Sequence, residues 1–78
     1  MRISLIDILD QRLIVRFNKN WKQADIEVYS SVGQLLHSAK KVSTYDDYKL
    51  PLDNLTNGVY IVKIKSNDGE IVTKKVIK

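Results

Sequence analysis

Apolar side chains in this chain recur at every second position, in runs that turn residues interrupt before any run can build a long helix. A period of two belongs to a pleated strand, whose successive side chains point to opposite faces. A helix needs apolar spacings of three and four instead. Leu13, Val15 and Phe17 alternate with Ile14 and Arg16. Ala24, Ile26 and Val28 oppose Asp25, Glu27 and Tyr29, and Tyr60, Val62 and Ile64 oppose Ile61, Lys63 and Lys65. The residue types agree with the period. Val and Ile supply 17 of the 34 apolar residues, Ala supplies two, and Glu stands only at Glu27 and Glu70. β-Branched side chains lose rotamer freedom in helices and sit well on a pleated surface, so the chain is predicted to be all-β.

Seven strands are predicted, over residues 2–9, 12–17, 24–30, 34–40, 47–52, 59–65 and 70–77. Asn18-Lys19-Asn20, Gly33, the 53–58 stretch ending in Asn57-Gly58, and Ser66-Asn67-Asp68-Gly69 supply turn chemistry between them. Gly33 and Gly58 are expected at positive φ, where a side chain would clash. Pro51 cannot donate to a ladder, which sends the fifth strand to an edge or a bulge. Trp21-Lys22-Gln23 has room for a single 3₁₀ turn. Seven short strands at this spacing predict one domain, over residues 1–78, folded as a seven-stranded antiparallel Ig-like β-sandwich, with a partly open barrel as the second choice. The expected core is Val15, Phe17, Ile26, Val28, Leu50, Leu52, Tyr60, Val62 and Ile64, with the Tyr60 hydroxyl finding a partner at the sheet's edge.

Little in the chain points to catalysis. There is no cysteine, hence no disulfide and no thiolate metal site. His37, the one histidine, is expected on the surface of the fourth strand, and no serine and carboxylate are placed to make a triad with it. Asp46-Asp47 lacks the spaced oxygen ligands of a calcium loop and reads as a solvated turn. Asn54-Leu55-Thr56 matches a glycosylation sequon, but Asn54 is accounted for by its turn. No glycine loop is built to cradle a phosphate. The expectation is a non-enzyme without cofactor or metal.

Thirteen basic and nine acidic residues give a net charge of +4, and Lys63, Lys65, Lys74, Lys75 and Lys78 gather the excess late in the chain. A basic hairpin can grip a nucleic-acid backbone. Single-strand binders also expose aromatics for base stacking, whereas Tyr60 falls on the apolar face. Lysine on outer faces and edges is moreover how β-proteins resist edge-to-edge aggregation. Nucleic acid is therefore the least favoured partner. No apolar run approaches the ~20 residues of a spanning helix. Asp7 arrives too early for these first residues to be a secretory signal.

Three runs in the second half carry a resemblance. They are Ile26-Glu27-Val28-Tyr29-Ser30-Ser31-Val32-Gly33-Gln34-Leu35-Leu36, then Leu55-Thr56-Asn57-Gly58-Val59-Tyr60-Ile61-Val62-Lys63-Ile64-Lys65, then Asn67-Asp68-Gly69 followed by Val72-Thr73-Lys74-Lys75-Val76-Ile77-Lys78. In this order and spacing they resemble the type A C-terminal sorting domain of the type IX secretion system, most clearly over residues 24–78. The first third departs from that family, whose domains usually open with a Pro-Asn-Pro-like segment; the only proline here is Pro51.

The resemblance implies a sandwich fold and an address in place of catalysis. Such domains take upstream cargo from the periplasm across the outer membrane, through the type IX translocon and its shuttle proteins, to the cell surface or the medium. A sortase-like surface protease then removes the domain. The resemblance further implies recognition by this machinery at Lys74, Lys75, Val76, Ile77 and Lys78, with Val76 or Ile77 anchoring the strand and the lysines contributing little to folding. Gly33, Gly58, Tyr60, Asn67, Asp68 and Gly69 are expected to serve the structure. A small Ig- or fibronectin-like accessory or spacer module that binds a protein partner would share this fold, because fold does not settle function. Uncovered sheet margins also lead to an expected homodimer through edge strands paired across a two-fold axis.

Overall fold

The computed structural model describes residues 3–17 and 22–78. They form β1 (Ile3–Leu9), β2 (Arg12–Phe17), β3 (Gln23–Ser30), β4 (Leu35–Ser43), β5 (Tyr48–Pro51), β6 (Val59–Ser66) and β7 (Ile71–Ile77). The strands make two sheets, of order β1-β2-β5 and β4-β3-β6-β7, antiparallel throughout. The chain crosses between sheets after β2, β4 and β5, so β2 meets β5 and β3 meets β6 by long connections. This is the Ig-like sandwich predicted from the alternation, and the barrel alternative falls away because no ladder joins the two sheets among the described residues. There is no helix among the described residues. Arg2, the 18–20 turn and Trp21 lie outside them, and Gln23 already belongs to β3.

The core follows the central strands. Leu13 and Val15 from β2, Ile26 and Val28 from β3, and Val62 and Ile64 from β6 have essentially no exposure. Ile3 and Ile6 from β1, Ala24, Leu52, Tyr60 and Val76 complete the buried cluster. Phe17 and Leu50 are half-buried and pack against it, not within it as the sequence suggested, since both lie at the margins of the smaller sheet. His37 lies on β4 as expected but is half-buried, because it pairs with the inward residue Val28 and that register turns its ring toward the facing sheet. There His37 Nε2 lies 2.8 Å from the Tyr48 hydroxyl, joining β4 to β5, and burial pushes the Tyr48 pKa up.

Strand limits shift where the ladder is irregular. β4 continues to Ser43 past the predicted 40 because bulges between Ala24 and Ile26 and between Val28 and Tyr29 absorb extra residues. At the first bulge Lys41 has φ 55, and its N–H donates to Asp25 Oδ1 at 2.9 Å. β5 is short, runs into Pro51, and lies at an edge as its proline required.

Candidate functional site

The site predicted from sequence is β7 with Lys78, and alternation divides it. β7 pairs with β6 without a register shift: Tyr60 with Val76, Ile61 with Lys75, Val62 with Lys74 and Val59 with Ile77. Paired residues share a face. Lys74 and Val76 therefore point inward with Val62 and Tyr60, while Lys75 and Ile77 point out to solvent with Ile61 and Val59.

The inward group serves the fold. Val76 is 3% exposed and belongs to the core. Lys74 Nζ donates to the Ile6 carbonyl at 2.6 Å, tying β7 to the edge of β1 in the other sheet. Lys78 Nζ donates to the Leu52 carbonyl at 2.6 Å and also to the Leu55 carbonyl. Its backbone N–H donates to the Gly58 carbonyl at 2.9 Å, and the Gly58 N–H donates back to the Lys78 carbonyl at 3.3 Å. The sequence reading takes all three lysines as solvent-facing: Lys74 and Lys75 are exposed and Lys78 is half-buried. Lys74 and Lys78 nevertheless reach backbone carbonyls with their ammonium groups, and the Leu52 carbonyl accepts from the Leu55 N–H as well. The signal was present in the spacing, because Lys74 shares the period-two phase of Val72 and Val76.

The outward group joins a larger surface. Leu35, Tyr29, Ile61 and Lys75 lie side by side across β4, β3, β6 and β7, and Val59 beside Ile77 extends the row. Ile77 is 68% exposed and Leu35 is 48% exposed. Below this apolar band the same face is charged, with Glu27 opposite Lys63 and Asp25 opposite Lys65. The Tyr29 hydroxyl donates to Glu27 Oε1 at 2.9 Å, which raises the tyrosine's pKa. The alternation in the sequence already sets Tyr29 and Ile61 on the outer face and leaves Val59 unassigned; all three are half-buried.

The predicted structural residues form two matching turns and one corner. Ser30 N–H donates to the Gln34 carbonyl, Gly33 N–H to the Ser30 carbonyl, and the Ser30 hydroxyl accepts from Gln34 N–H. Ser66, Gly69 and Glu70 repeat the same three bonds. Gly33 and Gly69 have φ of 89° and 91°, so both turns require glycine. The shared Ser-x-x-Gly spacing is the sequence signal for this motif. Asp68 Oδ1 accepts from the Ser66 hydroxyl and the Glu70 N–H, and Asn67 N–H donates to the Gln23 carbonyl at 3.1 Å. Gly58 is a correction: its φ is not positive and an added Cβ would meet nothing within 4 Å. Its place comes from the paired bonds to Lys78, which need only a backbone. Tyr60 is buried as expected, and its hydroxyl donates to the Thr56 carbonyl, holding the turn before β6 in the manner of a tyrosine corner.

Among the described residues no three metal-binding side chains converge. The Asp46-Asp47 turn spends Asp47 on Arg16, with Nη2 to Oδ2 at 2.9 Å; that hydrogen bond lowers the carboxyl pKa and raises the guanidinium's. A family model described as Secretion system C-terminal sorting domain matches residues 9–78. The chain belongs to this type IX secretion sorting family. No match was found among curated proteins. The family match reaches back beyond residue 24 to take in β2. A sorting domain of this family is a type IX secretion signal, an address for export to the cell surface or the medium.

Proposed function

We propose that this sorting domain carries an upstream cargo protein from the periplasm across the outer membrane through the type IX translocon and its shuttle proteins, and that a sortase-like surface protease then releases it. The family match over residues 9–78 carries this reading. Recognition falls to β7 and Lys78, with labour divided along the strand. Val76, Lys74 and Lys78 hold the strand in place, and Lys75 and Ile77 are the side chains offered to the machinery. A protein that leaves the cytoplasm needs a general secretory signal too, which the cargo supplies. An address also explains why the described residues concentrate their chemistry on one exposed strand and its neighbours instead of in a cleft. The experiment is a reporter bearing a secretory signal and fused ahead of the domain, expressed in a type IX-competent cell. The reporter is expected at the cell surface or in the medium with the domain and in the periplasm without it. A fusion that stays periplasmic, with the domain shown to be folded, overturns the reading in favour of a spacer module.

A further inference from the structure

The two sheets have four edge strands, and three are closed to a newcomer. β5 spans four residues and ends on Pro51. β4 carries two bulges and the positive-φ residue Lys41, so its hydrogen-bonding groups are out of line. β1 is bulged between Ile3 and Leu5, and its outward Ile6 carbonyl is occupied by Lys74. β7 is different. It runs seven residues against β6 without a shift. Because Lys78 and Gly58 exchange both bonds, every second residue from Lys78 points its backbone groups at β6. The intervening residues, Ile71, Thr73, Lys75 and Ile77, point their N–H and C=O groups away from the sheet in a row without a register shift, with β1 of the other sheet close by and bridged to it by Lys74. Beside that row a groove of about 320 Å³ opens between the two sheet edges, lined by Ile3, Leu5, Ile6, Val72 and Lys74 among others.

We infer that the open edge of β7 receives an extended segment of a protein partner as an added strand, one that alternates apolar and acidic residues. Resting on the sorting-signal reading above, this specifies how that signal is read. A strand added to β7 has two faces. Its inward side chains meet the groove beside Val72 and Ile6 and must be apolar. Its outward side chains lie beside Lys75, and a carboxylate there answers that charge; Lys63 and Lys65, one strand further in, already stand opposite Glu27 and Asp25. Main-chain bonds supply attachment, and the alternating pattern supplies selection. A second copy of the chain is the poorer occupant. The antiparallel register that pairs all seven β7 residues centres on Lys74, setting Lys74 against Lys74, and like charges directly opposite are destabilising.

The test uses the full 78-residue chain, isotope-labelled for amide spectra, with a synthetic peptide of the length of β7 that alternates valine and glutamate. Binding is expected to shift and protect the amides of Thr73 and Lys75, to weaken as salt rises, and to be lost when lysine replaces glutamate in the peptide. Thr73→Pro removes an outward N–H without costing a bond to β6, and should weaken binding roughly tenfold or more. Lys75→Glu should weaken the glutamate peptide and admit the lysine one. Protection confined to β4 or β5, undiminished binding to folded Thr73→Pro, or the same β7 amides protected in a concentration-dependent homodimer without peptide overturns strand addition. The reporter fusion separates the two proposals. Export that survives folded Thr73→Pro removes strand addition and leaves the sorting signal standing, while peptide binding by a wild-type domain that exports nothing removes the sorting signal alone.

Discussion

β4 and β7 close opposite sides of the same sheet and are built in opposite ways. β4 is longer, at nine residues against seven, yet it is interrupted twice, and its Lys41 backbone sits in the left-handed region, held there by Asp25. Its inward residues Ala39 and Val42 are only half-buried. β7 keeps one register from end to end, buries Val76 and is tied at its middle by Lys74 and just past its end by Lys78 through lysine-to-carbonyl bonds. An exposed regular edge is a standing invitation to pair, and proteins ordinarily spoil it. This domain spoils β4 with bulges and leaves β7 straight. Edge regularity is thus set strand by strand, and the strand left regular is the one on which we propose that the address falls.

The comparison can be broken most severely from the centre. Ile64→Ala, in the strand that carries β7, should cost ~2–5 kcal/mol by lost burial and a residual cavity, and Ile26→Ala, in the strand that carries β4, should cost the same. Denaturant unfolding of the two variants measures it, and a loss below ~1 kcal/mol would contradict the core assignment. Next in size, Val76→Ala removes the equivalent of two buried methylenes, about 1.6 kcal/mol. Val42→Ala on β4 should cost clearly less, since Val42 is only partly buried, and equal losses would erase the contrast between the two edges.

A finer distinction concerns the lysines. Lys74→Ala and Lys78→Ala each remove hydrogen bonds to a carbonyl and should cost roughly 1 kcal/mol, whereas Lys75→Ala should stay within about 0.5 kcal/mol. Equal, negligible effects at all three would restore the picture of a wholly solvent-facing basic tail. The smallest effect lies in the other sheet. Arg16 holds the Asp47 carboxyl below its ordinary pKa, chiefly through their hydrogen bond. A depressed folded pKa stabilises above the unfolded value and loses that contribution as pH falls through the folded one. Stability should therefore decline slightly more in wild type than in Arg16→Ala between roughly pH 5 and pH 2, less so in high salt. Identical pH profiles would show the exposed pair to be idle.

Much of this was legible in the sequence, for physical reasons that differ by feature. The period of two, repeated in residues 13–17, 24–29 and 60–65, was enough for the strands, because one buried face forces alternation. Pro51 located an edge, and Gly33 a positive-φ turn. Bulges were not legible: they arise where two ladders on either side of β3 demand different lengths, which extended β4 to Ser43 and turned His37 inward toward Tyr48. Gly58 misled because Asn-Gly usually signals a left-handed turn, whereas this one opens the backbone pairing with Lys78. The candidate site was legible as a segment and illegible as a surface. Charge drew notice to Lys74, Lys75 and Lys78 alike, but which lysine faces solvent depends on the phase of β7 against β6, and the capping of Ile6, Leu52 and Leu55 carbonyls depends on tertiary neighbours far off in the chain.

On the proposed reading, β7 serves the fold with one face and the address with the other. The most direct measurement pairs thermal stability with export of the reporter fusion for two variants, Val76→Ala and the double variant Lys75→Ala with Ile77→Ala. Val76→Ala should lower the melting temperature and, at a growth temperature where the domain stays folded, still export. The double variant should melt as wild type does and leave the reporter in the periplasm. Full export by the double variant, or loss of export that tracks melting temperature in both, would overturn this division between the two faces.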